Sequence, residues 1–185
     1  MIIIGITGTI GAGKGTIVEY LVKNNGFNHY SVRGFITEEI LKRNLEVNRD
    51  NMVVVANDLR KGHTSSYIAL QLFEQAKESG KNCVIESLRT IGEVEALKSK
   101  GKFYLFAVDA DSRIRYNRIV LRKSETDDIS YDTFVENEQR ELSSNDPNKQ
   151  NLSACIKMAD YIFYNNGSLE ELYKKLQEVL NVIIK

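Results

Sequence analysis

The chain is poor in the residues that build metal centres and disulfide scaffolds. Its only cysteines and histidines are Cys83, Cys155, His29 and His63, and no two stand at ligand spacing. A zinc site would need more His or Cys at ligand spacing, and neither histidine has a partner pattern for metal or nucleophilic catalysis. The two cysteines read as buried free thiols of a reducing compartment rather than a disulfide, which implies a cytoplasmic protein. No apolar run approaches the roughly 18 residues of a membrane span. The short apolar stretch at the N-terminus runs into a glycine-rich loop, as a strand does and a signal peptide does not. Net charge is also missing: 25 Lys and Arg face 25 Asp and Glu. That argues against nucleic acid as a partner, which calls for a broadly basic surface, but leaves room for a small anion held by a local positive patch. There is one proline, Pro147, and no repeat, linker or low-complexity tail. Residues 1–185 are therefore expected to form one domain, long enough to bury a substantial core.

What is present begins at residue 2. The apolar run Ile2-Ile3-Ile4-Gly5-Ile6 leads into Gly8-Thr9-Ile10-Gly11-Ala12-Gly13-Lys14-Gly15-Thr16. A strand, a glycine-rich turn, a lysine and then a helical pattern make the arrangement of a phosphate-binding loop. The glycines accept backbone angles that other residues resist. Successive N–H groups can then turn inward around a phosphate, and the following helix adds its positive end. Lys14 supplies a mobile point charge for the β- and γ-phosphates. The Ser or Thr expected directly after the lysine is replaced by Gly15, and the hydroxyl follows at Thr16. Gly8 through Thr16 is thus the expected donor-phosphate site, with Thr16 and Glu86 as candidate metal ligands.

Apolar runs alternate with helical patterns along the rest of the chain. Strands are predicted at 2–7, 29–32, 82–86, Lys102–Asp109 and Tyr161–Tyr164. Helices are predicted at 16–24, 35–43, 52–61, 65–79, 92–100, Ser112–Arg122, 131–143, 152–159 and 168–184. Several strands are apolar on both faces, which calls for a parallel sheet covered by helices on both sides, a three-layer α/β/α fold with five strands. Ligands of such sheets bind at the carboxyl ends of the strands, where this chain carries polar clusters.

A phosphate loop implies ATP as donor with Mg²⁺, and moving its terminal phosphoryl group demands charge neutralisation more than covalent chemistry. Arg33 and Arg89 follow predicted strand ends, and with Arg60 they form a candidate clamp for an acceptor phosphate. Arg113, Arg115, Arg118 and Arg122 crowd one short helix, where like charges repel unless an anion sits among them. Arg118 and Arg122 are expected to fold over the donor phosphates, while Arg113 and Arg115 serve salt bridges. The charged segment 123–128 after them, with no apolar anchor, has the composition of a mobile lid, expected over about residues 112–130. Arg140 and Asp58 are further acceptor candidates. Glu86 ends an apolar strand, where it can serve a magnesium-bound water or the acceptor.

The loop from Gly8 to Thr16, with glycine after its lysine and then threonine, resembles that of nucleoside monophosphate kinases of the adenylate kinase type. It is also similar to the loop of dephospho-CoA kinases, which usually have serine at the position of Gly15. Val84-Ile85-Glu86-Ser87-Leu88-Arg89 resembles the family's strand-end acid–x–x–Arg element, whose arginine holds the acceptor phosphate. The arginine helix resembles the family's short lid, and the segment from Ala159 to Leu172 its last strand and helix. The stretch from Asn48 through Arg60 is similar to small kinases related to dephospho-CoA kinase and to kinase modules found beside deoxycytidylate deaminases. The resemblance implies a P-loop kinase moving the γ-phosphoryl of ATP to a nucleoside or deoxynucleoside monophosphate, as a monomer or homodimer. Two alternatives stand beside it, a dephospho-CoA kinase and a nucleotide-binding switch. The sequence departs from the family in having Glu86 where many members have Asp, in lacking a long or zinc-bound lid, and in having Ser31 and Val32 where dephospho-CoA kinases carry an acid.

Overall fold

Strand β1 (Ile2–Gly8) is buried at every position, which in a parallel sheet means helices on both faces. The computed structural model describes residues 1–122 and 129–184. In it, β1 is the central strand of a sheet completed by β2 (Asn28–Ser31), β3 (Cys83–Glu86), β4 (Lys102–Asp109) and β5 (Tyr161–Tyr164). The order is β2-β3-β1-β4-β5, and all neighbours run parallel, with Ile4 beside Val84 on one side and Tyr104 on the other. The connecting helices are α1 (Lys14–Asn25), α2 (Val32–Lys42), α3 (Arg49–Gly62), α4 (Tyr67–Ser79), α5 (Ile91–Lys98), α6 (Ser112–Arg122), α7 (Tyr131–Leu142), α8 (Leu152–Lys157) and α9 (Leu169–Ile183).

The two-residue period of the strands divides the interior. Ile3, Cys83, Ile85 and Leu105 face a core closed by α2, α3, α4, α5 and α8. Ile2, Ile4, Ile6, Val84, Phe106, Val108 and Phe163 face the opposite core, closed by α1 and α9. Each fully buried Ile or Leu contributes roughly 1.5–3 kcal/mol, so this alternation fixes the register of the sheet. Close packing also explains Gly5: a Cβ there would lie 2.7 Å from both Leu88 Cδ1 and Phe103 Cζ. A third cluster, Ile10, Ile119 and Phe134, pins α6 and α7 over the loop that leaves β1.

Four helices begin before the apolar periodicity predicts, and α1, α2 and α3 do so by two or three residues, with side-chain caps at α2 and α3. Gly13, in the left-handed region at φ 102°, precedes α1. The Ser31 hydroxyl accepts from Gly34 N at 3.0 Å and starts α2, and Asn48 Oδ1 accepts from Asn51 N at 2.9 Å and starts α3. Such caps satisfy backbone donors that the first turn leaves unpaired. The effect is to place Arg33 and Arg49 inside the first turns of α2 and α3. Both cysteines are buried and free. Burial pushes their thiols up, to about 11 for Cys83 and about 12 for Cys155, which makes them unreactive. Among the described residues no helix is long and apolar enough to cross a membrane. Of the lid expected at about 112–130, residues 123–128 lie outside the described ones.

Candidate active site

The carboxyl ends of β1 and β3 open into a cavity of about 430 Å³. On one side is the loop after β1. Gly11 and Gly13 hold φ of 76° and 102°, and a Cβ would meet Arg115 O at 2.5 Å or Asn165 Nδ2 at 2.4 Å, so only glycine fits either position. The loop is braced from outside: Asn165 Nδ2 donates to Ala12 O at 2.8 Å, and Thr9 Oγ1 donates to Asp109 Oδ1 at 2.6 Å. Buried Arg115 donates to Ala110 O at 2.6 Å and Ile10 O at 3.2 Å and pairs with Glu138 of α7. Gly15 has nothing within 4 Å of its missing Cβ. Neither its backbone nor its protein neighbours demand glycine there, so the space it leaves belongs to the cavity it lines.

Lys14 Nζ donates to Gly8 O at 2.9 Å and Thr9 O at 2.8 Å. Burial, with the Arg89 and Arg122 charges adding to it and Glu86 and Glu141 opposing, brings the ammonium down to about 8. Across the cavity, Glu86 Oε2 lies 3.0 Å from His29 Nε2. Burial works against the Glu86 carboxylate. The His29 hydrogen bond and the charges of Lys14, His29 and Arg33 outweigh it and hold the carboxyl below its ordinary range. Ser87 follows at φ 72°, a strained angle for a residue with a side chain. It is held because Leu88 N donates to Ile6 O at 3.0 Å and Leu88 O accepts from Thr7 Oγ1 at 2.8 Å.

The far wall centres on Glu93. Its Oε1 accepts from Arg60 Nη2 at 2.8 Å and Nε at 3.2 Å, and its Oε2 accepts from the backbone of Arg89 at 2.8 Å and Thr90 at 3.1 Å. Arg60 and Glu93 are both fully buried, yet Arg60 Nη1 has no hydrogen-bond partner. The Arg89 guanidinium pairs with Glu141 and donates to Gln150 Oε1 at 2.7 Å. Val32, Ile36, Met52, Val53 and Ala56 supply an apolar wall between these polar ends.

The charge of this cavity is distinctive. Among the described residues seven cationic side chains line it, Lys14, Arg33, Arg49, Arg60, Arg89, Arg118 and Arg122, against Glu86 and Glu141 on its surface and Glu93 buried behind Arg60, an excess of four positive charges in a chain with none overall. Lys14, Arg33 and Arg49 sit in the first turns of α1, α2 and α3, where the helix dipole disfavours a cation. Charges placed against both their neighbours and the dipoles mark a site built for anions.

A family model described as an AAA domain matches residues 4–143. Over its whole length the chain is 35% identical to a UPF0200 protein of Methanococcus vannielii, of which it covers 96%. The chain belongs to the AAA-domain and UPF0200 families. Among solved structures, this UPF0200 protein is similar to a shikimate kinase of Bacteroides thetaiotaomicron, with TM-score 0.60 and 13% identity over 100% of this chain and 99% of that one. It is also similar to a gluconokinase of Sinorhizobium meliloti, with TM-score 0.59 and 10% identity over 98% and 93%. At such identities the likeness is one of fold. The UPF0200 chain shares the fold of these two structures, three layers around a five-stranded parallel sheet.

Of the residues singled out in sequence, the structure brings Ile10, Gly11, Gly13, Lys14, Gly15, Thr16, Arg33, Arg60, Glu86, Arg89, Arg118 and Arg122 to the cavity. Gly8, Thr9 and Ala12 stand behind it as the loop's support. Two expectations are corrected. Asp58 is not among the lining residues and pairs with Arg43 at 2.5 Å. Arg140 is also outside, paired with Asp50 at 2.9 Å. Both lie on outward helix positions, where nearby opposite charges claim them. Arg113 instead stacks on Tyr131, 3.9 Å from the ring centre. Sequence reasoning missed Arg49, Ser87, Glu141, Gln150 and the His29 partner of Glu86. For Arg49 a signal was present: the capping pattern Asn48-x-x-Asn51 puts a cation in a helix's first turn.

The fit of a magnesium nucleotide follows from the donor set. Among the described residues no group of three or more His, Cys, Asp or Glu could cage a metal. The Thr16 hydroxyl and an ionised Glu86 are the oxygens available, which suits Mg²⁺ carried mainly on phosphates and water.

Proposed function

We propose that this protein transfers the γ-phosphoryl group of ATP to a nucleoside or deoxynucleoside monophosphate. The observation that carries the reading is the excess of four positive charges, among the described residues, on one cavity with a phosphate loop at one end. A magnesium–triphosphate and a monophosphate each carry about two net negative charges near neutral pH, so the cavity neutralises two such ligands and is over-charged for one. Lys14 and the backbone N–H groups from Gly11 to Thr16 hold the donor phosphates. Arg118 and Arg122 reach the same end from α6, and the buried Arg118 Nη1, without a hydrogen-bond partner among the described residues, is an available donor for them. Arg33, Arg60 and Arg89 face the acceptor, whose base or sugar lies on Val32, Ile36, Met52, Val53 and Ala56. Magnesium, when bound, supplies neutralisation of charge between the β- and γ-phosphates. Thr16 and Glu86 hold it or its waters. A phosphate acceptor is already an anion at neutral pH and needs no base, so Glu86, kept ionised by His29 and Lys14, orients rather than abstracts a proton.

A coupled ADP-release assay tests this with a panel of ribo- and deoxyribonucleoside monophosphates, dephospho-CoA, shikimate and gluconate. At least one monophosphate is expected to raise turnover above ATP hydrolysis alone. Arg33→Ala is expected to raise the acceptor KM about tenfold or more with the ATP KM unchanged. Stimulation by a hydroxyl acceptor alone, or by none, refutes the proposal.

A further inference from the structure

Of the two acids that line the cavity among the described residues, Glu141 is the more deeply buried, its side chain 3% exposed. It comes from α7, yet its partners belong to the opposite wall. Oε2 accepts from Arg89 Nη1, which also donates to Gln150 Oε1 at 2.7 Å, and Oε1 lies 3.6 Å from Arg49 Nη1. All four residues line the cavity. Two guanidiniums around a carboxylate make the same arrangement that binds a phosphate oxygen pair. The wall also holds one donor that Glu141 leaves unused, the buried Nη1 of Arg60, so it has capacity for an anion with a third oxygen. Resting on the kinase reading above, we propose that Arg49 and Arg89, the latter held by Gln150 Oε1, form an oxyanion subsite that Glu141 fills as an internal ligand. The phosphate monoester of the acceptor takes the place of the Glu141 carboxylate.

The exchange has a mechanical consequence. Helix α7 is attached to the donor side through Phe134, packed with Ile10 and Ile119, and through Glu138, paired with Arg115. It is attached to the acceptor side through buried Glu141 and, at the surface, through Arg140 paired with Asp50. An acceptor that displaces Glu141 frees the end of α7 from Arg89 and Arg49 and leaves the exposed Arg140–Asp50 pair joining it to α3, while the donor-side contacts remain. Acceptor arrival is thereby coupled to the helices that cover the donor loop. The internal ligand also competes, so the free subsite binds more weakly than it would without it.

Inorganic phosphate is the probe, titrated calorimetrically into the full chain saturated with magnesium and a non-hydrolysable ATP analogue. Glu141→Gln is expected to bind phosphate about fivefold or more tightly than the unmodified protein. Unchanged or weaker binding in the variant overturns the proposal. Hydrogen exchange on the unmodified protein is the second measurement and needs no variant to fold. Phosphate is expected to speed exchange in residues 131–142, and unchanged or slower exchange there overturns the proposal. If the ATP analogue does not bind, that failure falls on the kinase reading. The phosphate titration is then read on a Lys14→Ala background, where the donor loop's own charge is removed.

Discussion

Lys14 makes nucleotide binding measurable as a proton count. In the free protein its ammonium is brought to about 8, first by burial and then by Arg89, so it is about half neutral at pH 8 and about nine-tenths neutral at pH 9. A triphosphate in the loop favours the charged form and raises this pKa. The sign follows: binding at full strength requires the protonated lysine, is complete below pH 8, and is lost as pH rises above it. Binding therefore takes up about half a proton at pH 8 and about 0.1 at pH 7, and affinity falls by up to about tenfold per pH unit above 8. The nucleotide's own phosphates are already ionised there, with a second pKa of about 6, and contribute little. Calorimetric titration of magnesium–ATP analogue in two buffers of different ionisation enthalpy at pH 8.5 reads the uptake directly. Lys14→Met is expected to bind weakly and take up none. Uptake below about 0.1 proton at pH 8.5, or equal uptake in Lys14→Met, refutes the assignment of Lys14 to the donor phosphates.

Other variants separate stability from binding. Gly15→Ala meets no protein atom within 4 Å, so it is expected to stabilise the free protein by up to about 1 kcal/mol in urea unfolding, while its methyl group, facing the donor phosphates, lowers ATP-analogue affinity; unaltered affinity argues that the space is not ligand space. Glu93→Ala strands the buried Arg60 charge and removes the capping box of α5, and a loss of about 3–5 kcal/mol is expected. Arg60→Met with Glu93→Leu is expected to cost far less, and equal losses in the single and double variants contradict the pairing.

The fold was largely legible because its signals are local and redundant. Ile2-Ile3-Ile4 ahead of a glycine loop allows one reading, and the strands at Lys102–Asp109 and Tyr161–Tyr164 begin and end where the apolar runs do. Helix starts were harder, since an apolar period cannot see the first turn; Ser31 and Asn48, as caps, carried that information. Strand-end arginines were legible from their placement, as Arg33 and Arg89 show. Helix-surface charges were not: Asp58 and Arg140 differ from cavity residues only in which neighbour claims them, Arg43 and Asp50. Glu141 gave no signal, being one acid in the charged helix from Tyr131 to Leu142 whose principal partner, Arg89, is 52 residues away. His29 likewise meets Glu86 only through the pairing of β2 with β3.

The most direct measurement follows the phosphoryl group itself. Protein, magnesium and ATP labelled in the γ-phosphate are incubated with each monophosphate in turn, and the products are resolved. Two anionic ligands sharing one over-charged cavity are expected to pass the label into a nucleoside diphosphate, and Lys14→Ala is expected to abolish the transfer. Label recovered only in ATP or inorganic phosphate with every monophosphate would contradict it.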